Sequence, residues 1–338
     1  MDIDNSPSKT TLTLQLLKTL VKDPNDMKTS TLYIKNLLPA LLIILSLSTF
    51  AQQDPLFSQY MFNKLAVNPA YAGSRDVLTL DALYRYQWVN IEGAPQTFSA
   101  SVHSPLRNEH IGVGMNVYHD AIGPSVNQGA LATFSYRILF PNAKLSFGIQ
   151  AGVKYSDILW SHITTAVNED PLLRNTVKNK AVPDASFGIY YYSKKYYLGL
   201  SSKDLFQNQM GVVNVNGEQQ YTKLLRHFYG MAGAAFPISD KLVFRPSMLV
   251  KYVQNAPPQM DLNASILISK TFWVGVSYRT EKALSFMTEF NLSENLRLGY
   301  SYDVWFNKLQ TYNKGSHEIR LSFDFNIFQK RMLSPRYF

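Results

Sequence analysis

Residues 145–156 read LSFGIQAGVKYS, a stretch in which apolar and polar side chains alternate. One set of alternate positions holds Leu, Phe, Ile, Ala, Val and Tyr, whereas the other holds Ser, Gly, Gln, Gly, Lys and Ser. Because successive side chains of a strand point to opposite faces, this pattern predicts a strand with one apolar and one polar face. Strands of soluble proteins usually have about five or six residues, whereas a tilted strand needs about ten to cross a membrane. The length of this stretch therefore favours a membrane-spanning strand.

The same alternation recurs along the rest of the chain. In the six clearest segments the apolar rows carry no charge, whereas the opposite rows carry eleven charged residues. A soluble sandwich would also have an apolar row packed inward, but segments of nine to thirteen residues exceed its usual strand length. The weakest segment is the eighth, because its Gly- and Ala-rich run suits either face. We count fourteen segments, at 76–90, 96–104, 110–119, 129–140, 144–156, 184–193, 195–203, 226–236, 241–253, 260–269, 271–280, 283–292, 295–303 and 316–328.

The connections between these segments alternate in length. Every second connection is short, roughly two to seven residues, and the longest ones, 157–183, 204–225 and 304–315, all fall in the other set. Short periplasmic turns and longer outer loops are typical of outer-membrane barrels. The sequence therefore predicts an all-β fold: a transmembrane antiparallel outer-membrane β-barrel of about 14 strands over residues 76–338. The same parity places the N-terminus in the periplasm, so we expect a short N-terminal periplasmic segment before the barrel.

The N-terminal region has the layout of a secretory signal peptide at residues 27–51. Lys28 and Lys35 precede an apolar run, and the small-residue context ending at Ala51 predicts cleavage before Gln52. The apolar run of eleven residues, 37–47, is too short to span a bilayer. Residues 1–26 are then expected to be an over-long start. The mature protein would be an integral protein of the outer membrane of a Gram-negative bacterium, surrounded by lipid.

Composition and motifs argue against several classes of function. The chain of 338 residues has no cysteine, which removes disulfides, thiolate catalysis and Cys-ligated metals. Its net charge of +9 is scattered, so we expect no nucleic-acid partner. His317-Glu318 lacks the second histidine of a zinc-binding HExxH motif, and Gly112-Val113-Gly114 lacks the third glycine of a dinucleotide loop. We therefore expect no catalytic, cofactor-binding or metal-binding residues and no enzyme.

The segment before the first strand, 52–75, is the most distinctive stretch of the chain. Its residues at positions 57, 60, 61 and 64 or 65 follow the spacing of one face of a short helix, and Asn68-Pro69 would end it. Two interpretations remain open. The segment packs into the barrel as a plug, or it docks a partner through its apolar stripe. The candidate residues for either role are Phe57, Tyr60, Met61, Phe62, Asn63, Asn68, Pro69 and Tyr71.

Several short blocks spread over the mature chain form a specific set. They are QDP at 53–55, SQYMFN at 58–63, NPAYAG at 68–73, GVG at 112–114 with Asp120 and Gly123-Pro124, VPDASFG at 182–188, GYSYD at 299–303 and GSHEI at 315–319. Together they resemble the PorP/SprF family, outer-membrane proteins associated with the type IX secretion system and gliding machinery of Bacteroidota. The resemblance implies a non-enzymatic protein that contacts periplasmic lipoproteins of the machine or retains a secreted client protein at the cell surface.

Two hypotheses from different classes follow. The first is an accessory barrel of the secretion and gliding machinery, acting through protein contacts at the N-terminal segment, the short turns and the long loops 157–183 and 204–225. The alternative is a general diffusion porin for small solutes. A porin would conduct steadily in a planar bilayer, whereas an accessory barrel would be plugged or silent without its partner.

Overall fold

The alternating segments form long antiparallel strands that pair side by side in one continuous sheet. The computed structural model describes Pro55 and residues 57–158, 180–215 and 218–327. Its strands are β1 Leu78–Tyr86, β2 Gln96–Pro105, β3 Ile111–Ile122, β4 Ser125–Leu139, β5 Ala143–Ile158, β6 Lys180–Ser193, β7 Tyr196–Lys203, β8 Gln209–Val215, β9 Glu218–Lys223, β10 His227–Ala234, β11 Phe236–Ser239, β12 Leu242–Val253, β13 Gln259–Ile268, β14 Phe272–Arg279, β15 Ala283–Asn291, β16 Leu296–Trp305 and β17 Ser316–Phe325. Short 3₁₀ helices lie at Lys64–Ala66, Pro69–Tyr71 and Lys308–Thr311.

The sheet closes into a barrel because its first and last strands pair. Leu78 of β1 lies opposite Phe325 of β17, and Tyr86 lies opposite His317. On the far side β10 pairs with both β7 and β12, and β11 continues the same wall strand along β12 after a break at Ala235. Since β8 and β9 pair only with each other as a separate hairpin, the wall has fourteen strands. The predicted barrel is confirmed, and its weakest predicted strand is the one that is broken.

The two faces of the wall have the predicted polarity. Ile149, on the outer face of β5, has 57% of its surface exposed, whereas the neighbouring Gln150 faces inward with 5% exposed. Large charged side chains such as Arg85 and Arg320 are buried in the interior. An apolar outer band and a polar interior are the arrangement expected of a barrel whose outer face contacts lipid.

The two ends of the barrel differ in the length of their connections. At one end, which we call the short-turn end, the strands are joined by residues 106–110, 140–142, 194–195, 240–241, 269–271 and 292–295. The opposite, long-connection end carries the loop between β7 and β10, in which β8 and β9 form a hairpin. The sequence between these two strands is Asn216-Gly217, a pair that strongly favours a two-residue hairpin loop. The connection 204–225, predicted as a long outer loop, is therefore largely a β-ribbon.

The N-terminal segment differs from the prediction in two respects. Residues 57–76 lie inside the barrel, hydrogen-bonded to its inner wall, and do not form a periplasmic segment outside it. Residues 58–62 form consecutive turns in place of the predicted short helix, and only 3₁₀ helices follow. An amphipathic helix needs one face toward solvent, whereas here the polar residues between the apolar ones also contact the wall.

Some predictions concern residues that the structure does not describe. These are the over-long start 1–26, the signal peptide 27–51 and most of the loop 157–183. Across the described ranges, no helix has the length and apolar character needed to cross a membrane.

The membrane depth of the outer faces of β4 and β5 can be tested by placing one arginine at each of two depths. We expect Ile149→Arg, in the middle of β5, to lower the free energy of unfolding by about 2–4 kcal/mol, because it places a cation in the lipid core. Ile138→Arg, near the short-turn end of β4 and also on the outer face, should cost about 1 kcal/mol or less. Urea unfolding in lipid vesicles measures both values, and equal costs would contradict the assigned membrane depth.

Candidate functional site

Residues 57–76, which we call the strap, fill the barrel lumen. All eight candidate residues of the sequence analysis lie inside the barrel, and the most exposed of them, Phe62, shows only 9% of its surface. Tyr60, Met61, Phe62 and Tyr71 belong to a core that also includes wall residues such as Tyr190, Met231 and Trp273. The predicted stripe Phe57, Tyr60 and Met61 is therefore covered by the wall in this conformation.

At the long-connection end the strap is held by three charged wall residues, Arg85, Asp303 and Glu318, which we call the clasp. The Glu318 carboxylate accepts hydrogen bonds from the backbone N–H groups of Ser58 and Gln59, both at 2.8 Å. The Ser58 hydroxyl donates to Asp303 at 2.8 Å. Arg85 pairs with Asp303 at 2.6 Å and with Glu318 at 3.0 Å. Charge-assisted bonds of this kind fix both position and direction of the chain.

In the middle of the lumen, arginines of the wall hold Phe62. Arg320 donates to the Phe62 carbonyl at 3.0 Å and to Glu289 at 2.6 Å, and it also pairs with Asp81. The guanidinium of Arg245 lies 4.5 Å from the centroid of the Phe62 ring and 4.1 Å from that of Trp273. Such cation–π contacts are strongest where water is absent. The Phe62 carbonyl bonds to the wall rather than to a following helical turn.

Asn68 joins the second half of the strap to the wall. Asn68 donates through Nδ2 to the carbonyls of Ile189 at 3.0 Å and Leu200 at 3.2 Å, and its Oδ1 accepts from the Ala70 N–H at 2.9 Å. It thereby caps the Pro69–Tyr71 turn and joins it to β6 and β7. Asn68 was predicted to end a helix, and in the structure it begins a 3₁₀ turn.

Two glycines of the wall allow the strap to approach closely. A Cβ atom at Gly148 would overlap the backbone of Pro69 and Ala70, and one at Gly188 would overlap the Asn68 side chain. Both glycines stand on inward-facing positions, where the alternating pattern in the sequence gave no reason to expect a tight contact. Their small size therefore serves contact with the strap.

At the short-turn end the strap is anchored by basic side chains. Arg137 donates to the Gly73 carbonyl at 2.5 Å, and the Gly73 N–H donates to His103 Nδ1 at 3.2 Å. Lys144 pairs with Asp76 at 3.0 Å, just before β1 begins. These contacts complete a path that runs through the whole height of the lumen.

A second charged cluster lies at the long-connection end. Lys154 pairs with Asp184 at 3.3 Å and with Asp204, and His227 Nδ1 lies 3.2 Å from Asp204. Asp204 follows β7, so the cluster fixes the start of the connection that carries the β8–β9 hairpin. The alternating pattern placed Lys154 on an inward polar row, but it did not relate Lys154 to Asp184, Asp204 or His227.

The arrangement is suited to holding a polypeptide segment against the inner wall. Within the described ranges, no group of His, Asp and Glu side chains is placed to hold a metal ion. Buried charges are costly unless they are paired and hydrogen-bonded, and the clasp and the Arg320 contacts provide such pairing. These contacts therefore hold the strap in a fixed position inside the barrel.

The close approach at Gly148 can be tested with the smallest possible addition. We expect Gly148→Ala to lower the free energy of unfolding by about 1–3 kcal/mol, because the methyl group overlaps the strap backbone. Gly230→Ala is the matched control, since its Cβ would make only an ordinary contact of 3.7 Å with Leu200. Urea unfolding measures both, and a harmless Gly148→Ala would show that the strap does not press on this wall.

Comparison with solved structures finds proteins that are similar to this chain over most of its length. Similar solved structures include the CymD monoaromatic hydrocarbon channel (12% identity over 80% of this chain and 94% of that chain, TM-score 0.48). Omp33 of Acinetobacter baumannii matches with 6% identity over 74% and 100% of the two chains and a TM-score of 0.43. The KdgM porin matches with 7% identity over 73% and 99%, with a TM-score of 0.37. No curated protein sequence matches the chain.

The family comparison covers most of the sequence. The family described as type IX secretion system membrane protein PorP/SprF matches residues 49–323, which include the strap and nearly the whole barrel. The blocks at 58–63 and 68–73 that carried the resemblance are parts of the strap, and GSHEI at 315–319 contains Glu318 of the clasp. This outer-membrane barrel belongs to the PorP/SprF family of type IX secretion system membrane proteins.

Proposed function

We propose that this protein is a non-enzymatic barrel of the type IX secretion and gliding machinery that acts through protein contacts at its two ends. The observation that carries the proposal is the strap. It occupies the lumen from one end to the other and buries side chains such as Tyr60, Met61 and Leu65 almost completely. A diffusion porin needs a water-filled lumen, so this packing supports an accessory barrel over a porin.

The physics of the lipid-facing wall favours recognition at the ends. The outer face must satisfy its backbone groups within the sheet and presents mainly apolar side chains to lipid, so it offers few groups for specific hydrogen bonds. The ends carry the polar side chains that a partner can recognise. At the short-turn end these include Lys194, Lys195, Asp240 and Lys241, all of which are exposed.

The two ends fit different partners. We propose that the short-turn end faces the periplasm, as in other outer-membrane barrels, and contacts lipoproteins of the machine. The long-connection end would then face outward and retain a secreted client. The β8–β9 hairpin supports this assignment, because a two-stranded ribbon outside the barrel sheet can pair through its edges with a polypeptide partner.

The strap itself fits the plug interpretation better than the docking one. Its apolar stripe consists of Phe57, Tyr60 and Met61 and lies against the wall. No more than 8% of the surface of any of these residues is exposed. To dock a partner through that stripe, the segment would first have to break the clasp and leave the lumen. We propose that the strap closes the barrel and that partners bind elsewhere.

The two partner classes can be separated by altering one end at a time. In one variant a short Gly-Ser linker replaces residues 209–223, and in the other Lys194 and Lys195 are changed to Ser. Co-purification from native membranes with mass spectrometry should show severalfold loss of a secreted protein from the first variant only. Periplasmic lipoproteins should be reduced in the second variant only.

Heat-modifiable mobility on gels checks that each variant still forms a barrel. If both variants recover the same proteins as the wild type in the same amounts, recognition does not use these ends as proposed.

A further inference from the structure

A groove lies on the outer, lipid-facing side of the wall, where β17, β1, β2 and β3 adjoin. Its volume is about 390 Å³. The neighbouring Asp81 points into the lumen, where it pairs with Arg320, so its charge does not face the groove. The outer-face side chains that line the groove are apolar and include Leu80, Ala82, Ala100, Met115, Leu321 and Phe323.

The shape of the groove follows from the pairing of β1 with β2. Ala82 of β1 lies directly opposite Ala100 of β2, and these two small residues form the floor. The next outer-face pair toward the long-connection end, Tyr84 and Phe98, is much larger, and both residues are 44% exposed. The Tyr84 hydroxyl donates to Gln96 at 3.1 Å, which holds this side in place. The groove therefore stops at aromatic side chains and extends from the alanines toward the short-turn end.

The groove lies in the half of the membrane nearer to the short-turn end. Five residues separate Ala100 from Pro105, the last residue of β2, which corresponds to about 17 Å of strand and about 13 Å of height at a tilt of about 40°. Half of the hydrocarbon core of a bilayer is about 15 Å thick. Arg107, which is exposed, marks the membrane surface at this end, because a charged side chain is costly within the hydrocarbon. An acyl chain that starts at this surface therefore reaches the floor of the groove.

Arg107 supplies a positive charge at the membrane surface below the groove. The β2–β3 turn that carries it is ordered, because the Leu106 N–H donates to the Ile111 carbonyl at 2.7 Å and the Ile111 N–H donates to Asn108 Oδ1 at 3.2 Å. Arg107 forms no ion pair with another residue that the structure describes. A guanidinium matches a phosphate group in both charge and geometry. Arg107 therefore complements the phosphate of a lipid whose acyl chain follows the groove.

We propose that this groove holds one acyl chain of a phospholipid from the leaflet at the short-turn end, with the lipid phosphate at Arg107. A recess that is left unfilled loses dispersion contacts for the atoms that line it, and within the membrane core the filling group is hydrocarbon. A chain in the groove contacts four strands, so this lipid is retained longer than the lipids along the rest of the wall. The proposal concerns the outer wall alone and does not depend on the partners or the orientation proposed above.

Photolabelling from within the bilayer tests the proposal. The full-length barrel is placed in vesicles of phosphatidylethanolamine and phosphatidylglycerol, with a small share of phosphatidylglycerol that carries a diazirine near the middle of one acyl chain. After illumination, mass spectrometry maps the labelled peptides. We expect severalfold more label at the groove, on the outer faces of β17, β1 and β2, than at the same depth on β13 and β14.

Three variants separate the groove from the general lipid contact of the barrel. Ala100→Leu fills the groove and should lower the label there to the level of the remaining wall. Ala264→Leu is the matched control and should change nothing, because Ala264 is an exposed outer-face residue four residues before Ile268, the last residue of β13. Arg107→Gln removes the charge and should lower the groove label severalfold. Heat-modifiable mobility on gels shows whether each variant forms a barrel.

The other outcomes overturn the proposal wholly or in part. Even labelling around the wall of the unaltered protein would mean that lipid only surrounds the barrel, without a site. Weaker label at the groove than elsewhere would mean that protein, such as a second copy of this chain, covers it. If Ala100→Leu removes the groove label and Arg107→Gln does not, the acyl-chain site is upheld and the assignment of the phosphate to Arg107 is wrong.

Discussion

The strap displaces water from the lumen, and the charged side chains of the inner wall must therefore be neutralised by groups of the protein itself. Glu318 illustrates this dependence, because its carboxylate accepts two backbone N–H groups of the strap and an arginine of the wall. Arg320 does the reverse, joining a strap carbonyl to the carboxylates of Asp81 and Glu289. Neither the wall nor the strap satisfies its polar groups alone, so the two are expected to order together.

This mutual dependence shapes what the protein can do. A lumen filled by its own polypeptide leaves the barrel with a lipid-facing wall and two ends, and only the ends offer specific polar contacts. The ends are built differently, with short turns at one and a β-ribbon at the other. This arrangement is consistent with the proposed role of the barrel as a membrane-held platform for protein contacts.

Much of the fold could be read from the sequence because it depends on local patterns. The alternation from Leu145 to Ser156 predicts that the segment is a strand, which face each side chain lies on and how long the strand is. The alternation of short and long connections then checks the number of strands. The hairpin at Gln209–Lys223 also has a local signal in the sequence, because Asn-Gly at 216–217 favours a two-residue hairpin turn.

The sequence indicated which residues form the site, but it did not predict their contacts. The eight candidate residues do lie together in the lumen. However, the spacing of Phe57, Tyr60 and Met61 predicted an amphipathic helix. Such a helix has a solvent-facing side, whereas this segment is surrounded by the wall. The partners of the strap are remote in the chain, with Gln59 and Glu318 separated by 259 residues, and no local pattern relates them. Gly148 and Gly188 likewise became meaningful only when the strap was found against them.

The central claim, that the strap closes the lumen, is tested most directly by single-channel recording in planar lipid bilayers. The purified full-length barrel should show no steady conductance. A variant lacking residues 57–71, which still shows heat-modifiable mobility, should conduct steadily because water then enters the lumen. If the full-length protein conducts steadily at the level of the strap-deleted variant, the lumen is open and the strap does not close it.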